Sequence, residues 1–583
     1  MVLNSYKVTF FGSLKMIHFK DMPYERPDVH AVEEEIRQLA EALRRAASYE
    51  EADELFLRAD TLKRHIETAS TLAHIRHSID TRDTFYDEEE HFWNAAGPEL
   101  MEYTQLWTKA LLASPFREQL AETYGNVIFI NAELEEKSFS PEIIPLLQEE
   151  NDLTTAYEKL LAGAQIPFGD GIYTIAQMEP FKTDSDDAVR LAAWKAEGQW
   201  YRDNQEQLDA LYDRLVKLRD EMGRKLGFPD YVEMGYCRMN RNCYSRKDIE
   251  AFRTAVRKYV VPAAEKIRKN QAERLGMSYP LSFSDCALMF RSGNARPAGN
   301  TEEILEAGRR FYRSLSPETG KFFDSMLDYG LMDVEAREGK EGGGYCTSLF
   351  DYDTPFIFAN FNGTRSDVET VTHEAGHAFA DWLNRRRIPM ETIWPSMDGC
   401  EVHSMSMEFF SWKSAADFFG ADEGKFRYMH LADALLFIPY GTMVDHFQHS
   451  VFDNPQWTPA MRHAEWKRLL GIYMPWLRLD GEIPFYAEGM GWQRQHHIYS
   501  LPFYYIDYCL AQTVSLVFWA KMQEAYEKAW EQYMAYTRQG GSKVFTELLK
   551  QAGLPGPFEE ETLRQICRKA EAWLDAFDLS GIA

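Results

Sequence analysis

Residues 366–382 read SDVETVTHEAGHAFADW. Val368, Val371, Ala375, Phe379 and Trp382 recur at helical spacing and predict one helix with a buried stripe. Ser366 followed by Glu369 predicts a capping box, and Arg385, Arg386 and Arg387 before Pro389 predict a C-terminus with favourable charge against the helix dipole. Within the helix lies His373-Glu374-x-x-His377. Histidines at this spacing share one face, so both imidazoles reach one ion at about 2.0–2.1 Å. Glu374 lies about 100° around the helix from His373, where it can hydrogen-bond a water beside the ion rather than join the ligands. This pattern points to a metal-dependent hydrolase, since two ordinary histidines would not account for the glutamate between them.

A catalytic zinc centre takes a third protein ligand and keeps a fourth position open. Glu401 fills that role at the start of GCEVHSMSMEFFSWKSAADFF, a second helical pattern. Glu408 follows on the same face and suits a hydrogen bond to a ligand histidine. His403 is the competitor, but an i+2 neighbour of Glu401 points elsewhere and reads as a core or surface histidine. His446 and His449 lack a carboxylate constellation and are not read as a second metal site. One Zn²⁺ per chain is expected, although nitrogen and oxygen donors also accept cobalt or manganese.

Outward from the metal motif, Gly342–Gly363 (GGGYCTSLFDYDTPFIFANFNG) predicts strands, with FIFANF able to pair with a substrate backbone. The triple glycine is a turn or a mobile loop beside the site. Further upstream the chain reads as helix after helix from about Val32, with one small hairpin at Ile166–Phe181 around Gly169-Asp170-Gly171. From Ser366 helices are predicted to continue to the C-terminus. No linker or internal repeat separates the parts, so the lobes interlock. The expected division is an N-terminal helical lobe, 1–205, and a catalytic domain, 206–583.

The 583 residues, 45% of them hydrophobic, can bury a large core. A net charge of −27 argues against nucleic acid and anionic membrane surfaces as partners. Seven cysteines, none spaced as CxxC, fit free thiols in a reducing compartment. The N-terminal stretch lacks the pattern of a signal peptide and no apolar run suits a membrane span, so a cytoplasmic location is expected.

The chain resembles the thimet oligopeptidase family of zinc peptidases, and within it the oligoendopeptidase F branch. The resemblance rests on TRSDVETVTHEAGHAF, on the glutamate of EVHSMSME, and on HHIYSLPFYYIDY (His496–Tyr508); it extends through FGDGIYTIAQMEPF, DAVRLAAWKA and KLGFPDYVEMGYCRMNR. Residues before Met16 fall outside it. The resemblance implies a mainly α-helical, clam-like body of two interlocked lobes with a deep channel. It also implies a zinc ion at the channel floor and a small β-sheet beside the metal helix. It further implies cleavage of internal bonds in short, unfolded oligopeptides, with His497, Tyr505 and Tyr508 over the substrate as candidate oxyanion donors. An ungapped count from Tyr508 selects His496 instead of His497. Phe503 and Tyr504 fit packing in the core at least as well as a functional role. Two alternatives are a helical metallocarboxypeptidase, which needs a cation to bind the terminal carboxylate, and a catalytically inactive peptide-binding protein.

Overall fold

The metal-motif helix forms over Ser366–Asn384 and packs on the glutamate helix, Met397–Phe410. The computed structural model describes residues 17–479 and 481–582, so the segment before Met16 lies outside the described residues. Gly376 sets how closely the two helices approach. A Cβ there would lie 2.7 Å from the Ser404 Cα and 2.8 Å from the His403 carbonyl oxygen, both backbone atoms that cannot swing away. Gly376→Ala is therefore expected to push apart the helices carrying His377 and Glu401. Thermal melts should register a loss of about 1–3 kcal/mol, and a metal titration should show weaker binding.

The start of the metal helix differs from the predicted capping box. Ser366 is already helical, and the side chain of Arg365 before it makes no cap bond. Instead Asp367, buried in the first turn, turns back and accepts from the backbone N–H groups of Asn362 at 2.9 Å and Gly363 at 2.8 Å. Glu369 is taken by Arg365 at 2.9 Å, so it is not free to close the box.

Three strands lie beside this helix: β3 (Met332–Glu335), β4 (Tyr345–Leu349) and β5 (Thr354–Phe361), in the order β3-β5-β4. β3 runs parallel to β5 and β4 antiparallel, with Tyr345 opposite Phe358 and Leu349 opposite Thr354. The run FIFANF is thus the central strand. Ile357 and Phe358 have partners on both sides, so this stretch does not offer substrate the free edge that was expected; the edge strands are β3 and β4. Near-continuous burial along β5 has the same origin, a strand flanked by neighbours and covered by the metal helix.

The predicted hairpin is shorter than expected. β1 (Ile166–Phe168) and β2 (Gly171–Tyr173) pair antiparallel around Gly169, which takes a positive φ, and the chain is already helical at Ala176–Lys182. Helices do not run unbroken after Ser366 either, because the described residues between Met474 and Met490 are irregular and touch Leu281 through a bridge at Leu477. Beyond it the longest C-terminal helix, Tyr505–Thr537, kinks at Ala525 and packs against the glutamate helix. N-terminal helices such as Tyr49–Ile79 and Thr84–Leu112 enclose their own apolar cluster from Val32 to Phe129, beside a much larger core that surrounds the metal helix. A cavity of about 260 Å³ lies where these helices face the chain after the metal helix, between Phe56, Trp107 and Ile128 on one side and Glu391 and Trp394 on the other.

Candidate metal centre and active site

One group of three His, Cys, Asp or Glu side chains converges among the described residues: His373, His377 and Glu401, with ligand atoms all within 4.8 Å of one another. Glu401 Oε2 lies 3.2 Å from His373 Nε2 and 3.3 Å from His377 Nε2. Two imidazole nitrogens and a carboxylate oxygen facing one point, with no protein donor in a fourth place, suit a tetrahedral zinc ion with an open position.

The donors are held by a network around them. His373 Nδ1 lies 2.6 Å from Glu408, which leaves Nε2 as the lone-pair nitrogen facing the site. The other Glu408 oxygen is 2.8 Å from His430 Nε2, and Trp412 donates to His430 Nδ1 at 2.9 Å. His430 therefore carries its proton on Nε2 and gives it to Glu408. Glu401 accepts from Ser404 Oγ at 2.8 Å through Oε2 and from the Tyr504 hydroxyl through Oε1. Burial opposes ionisation of Glu401, but the charges and hydrogen bonds of His377 and His373 outweigh it and hold the carboxyl well below its usual range. Glu374 shows the opposite balance: burial raises its pKa, with His373 and His377 working against the rise. A carboxylate with increased proton affinity is suited to general-base work.

Glu374 faces the glycine loop. A Cβ on Gly344 would come within 3.3 Å of Glu374 Oε1, so glycine there leaves the carboxylate its space. Across the site stand His496 and His497, ring centroids 3.9 Å apart. His496 sits over Gly343, its Cε1 3.6 Å from where a Cβ would be. His497 joins a different set: the Gln495 amide lies 3.0 Å from Nδ1, and the Tyr508 hydroxyl lies 3.3 Å from Nε2. With Gln495 donating to Nδ1, His497 carries its proton on Nε2, and burial holds its pKa well below the ordinary histidine value, so it stays a neutral donor. The Tyr505 ring packs against Phe437, Tyr440 and His497, at centroid distances of 5.7, 5.9 and 5.2 Å.

Tyr504, for which the sequence leaves core packing and a functional role both open, bonds the third ligand through its hydroxyl. Phe503 adopts φ +71° and the helix begins only at Tyr505, so helical phase does not extend back to Tyr504. Phe503 itself is fully buried, as expected. His403 is buried against Tyr536 and does not join the ligand group. His446 and His449 bond Tyr473 and Tyr236 and line a cleft with Arg246, Arg253, Arg257, Glu250 and Asp453; neither joins the converging ligand group.

Beside His377 stands Trp394, ring centroids 6.2 Å apart, and its indole donates at 2.8 Å to Ser348 Oγ, which donates in turn to Asp381. Asp381, one turn beyond His377, is pushed up to about 7 by burial, against the opposing Ser348 hydrogen bond. The folded chain therefore binds this proton more tightly than the unfolded chain. The stability contribution of the group is full below about pH 4 and falls as pH rises toward 7. Asp381→Asn, which keeps an acceptor for Ser348, should gain stability over wild type between pH 5 and pH 8, by on the order of a few kcal/mol. Melts at the two pH values check this; a gap that shrinks as pH rises contradicts it.

A helical body with an HExxH helix, a distant glutamate and a small sheet at the metal defines a metallopeptidase. Comparison with known proteins places it further. Residues 19–139 match the Peptidase M3 N-terminal domain and residues 318–567 match Peptidase family M3. PZ peptidase A, solved with an inhibitor, is 42% identical, with a TM-score of 0.95 over 96% of this chain and 99% of that one. A protein from Bacillus anthracis str. Ames, provisionally assigned as oligoendopeptidase F, is 38% identical, with a TM-score of 0.91 over 98% of this chain and 100% of that one. No curated protein sequence matches. The chain belongs to peptidase family M3, in its oligoendopeptidase F branch, and is a metallo-oligopeptidase with endopeptidase action.

Proposed function

We propose that the protein is a zinc endopeptidase that hydrolyses internal bonds of short, unfolded oligopeptides, with His373, His377 and Glu401 as metal ligands and Glu374 as general base. The observation that carries this reading is the convergence of those three donors with Glu374 set beside them under the glycine loop. When bound, zinc supplies Lewis acidity, polarising the scissile carbonyl and lowering the pKa of water. Glu374 takes the proton from the attacking water and returns it to the leaving amine. His497, as a neutral N–H donor, and Tyr508 stabilise the developing oxyanion, and Tyr505 holds the His497 ring. Tyr504 and Glu408 orient the ligands. The N-terminal lobe, 1–205, covers the catalytic unit, 206–583. A cytoplasmic location is supported by seven free cysteines and by the absence, among the described residues, of a helix long and apolar enough to cross a membrane.

The test is metal reconstitution. Chelated protein should lose cleavage of an internally quenched peptide and regain it at one zinc per chain. Cleavage that persists in chelated protein whose zinc content is verified as nil would overturn the zinc assignment.

A further inference from the structure

The cavity of about 260 Å³ between the N-terminal helices and the chain after the metal helix adjoins the metal centre. Trp394 joins the two. It lines the cavity, its ring centroid stands 6.2 Å from that of His377, and its indole is fixed by the bond to Ser348. Another wall is one face of the helix Val127–Ser138, which contributes Val127, Ile128, Asn131 and Glu135 at helical spacing. Phe56, Trp107 and Leu111, all buried, make much of the remaining lining apolar.

Two acceptors in this lining lack a matching donor. Glu135 is exposed and accepts from the Thr108 hydroxyl at 3.4 Å, and among the described residues no cation lies within ion-pairing distance of it. The Lys63 ammonium, also in the lining, is held by Glu391 at 2.5 Å. Lys543 belongs to the other end: the carbonyl oxygen of the adjacent Ser542 lies 3.3 Å from where a Cβ on Gly125 would be, just before the helix starts. Glu135 is about two turns along that helix from Val127, roughly 12 Å away. One turn before Glu135, Asn131 accepts from the Asn242 amide at 2.8 Å, which leaves the Asn242 carbonyl oxygen buried without a donor. An apolar wall ending in a free carboxylate and a free amide oxygen matches a side chain with an aliphatic stem and a cationic N–H head.

We propose that this cavity is a specificity pocket for a basic side chain of the peptide, with the stem along Trp107 and Ile128 and the head at Glu135. This rests on the endopeptidase reading, in which the peptide passes the zinc beside Trp394. The cavity has the liquid volume of roughly nine waters, room for one such side chain.

The test measures binding of labelled, end-blocked heptapeptides by anisotropy to zinc-loaded Glu374→Gln protein. A single arginine is moved through each position of an otherwise uncharged peptide, and a matching set carries citrulline, which keeps the shape and removes the charge. The expected result is one position at which arginine binds at least about tenfold tighter than citrulline. Added Glu135→Gln should close that gap without weakening the citrulline peptide, and Glu135→Asp should keep part of it. Glu136→Gln, which removes the same charge from an exposed neighbour, should leave the gap unchanged and so separates the pocket from the general attraction of a chain of net charge −27. A gap under threefold at every position, a gap that survives Glu135→Gln, or one lost equally in Glu136→Gln overturns the proposal. The assay needs no cleavage, so the endopeptidase reading is judged separately, by wild-type products.

Discussion

Glu374→Gln should lower kcat by about 10²–10⁴-fold while the protein keeps its full metal content. Glutamine preserves the shape and an acceptor oxygen, and Glu374 is not among the converging ligands, so metal binding has no reason to fall. What disappears is a buried carboxylate whose proton affinity burial has raised. Stopped assays paired with metal analysis check the split. Equal activity would remove Glu374 from the mechanism, and loss of metal together with activity would make it part of the ligand set.

Glu408→Gln should weaken metal affinity by about 10–100-fold, with a smaller effect on kcat at saturating zinc. Both carboxylate oxygens of Glu408 serve as acceptors, for His373 Nδ1 at 2.6 Å and for His430 Nε2 at 2.8 Å. A glutamine offers one oxygen and one NH₂, so one histidine meets a donor where it needs an acceptor. If His373 is that one, its ring loses the bond that fixes the lone pair of Nε2 toward the site. If His430 is, a buried N–H is left without its partner, which costs about 1–3 kcal/mol. Competition with a zinc chelator measures the change, and an unaltered affinity would show that Glu408 does not support the ligand.

The part of this site that follows helical periodicity was legible in the sequence. His373, Glu374 and His377 on one helix, and Glu401 with Glu408 seven residues further on the next, are related by spacing alone, and the structure brings all but the base into one bonded group. Residues that reach the site across the fold were not legible. His430 comes from the first third of a long helix, Glu423–Asp453, where nothing local marks it. Tyr504 was hidden because Phe503, at positive φ, breaks the phase that the following helix suggests. Local competition explains the misread cap: Asp367 captures the free N–H groups before the metal helix, and Arg365 occupies Glu369. Strand pairing is equally non-local. FIFANF reads as a strand from its residues, but that it lies between β3 and β4 depends on partners on either side of it in the chain.

Mass analysis of the products from a peptide blocked at both ends, incubated with protein carrying one zinc per chain, tests the account most directly. The account predicts two fragments from cleavage of an internal bond, formed by wild type and not by Glu374→Gln. An intact blocked peptide, with release of terminal residues only from the unblocked form, would contradict it.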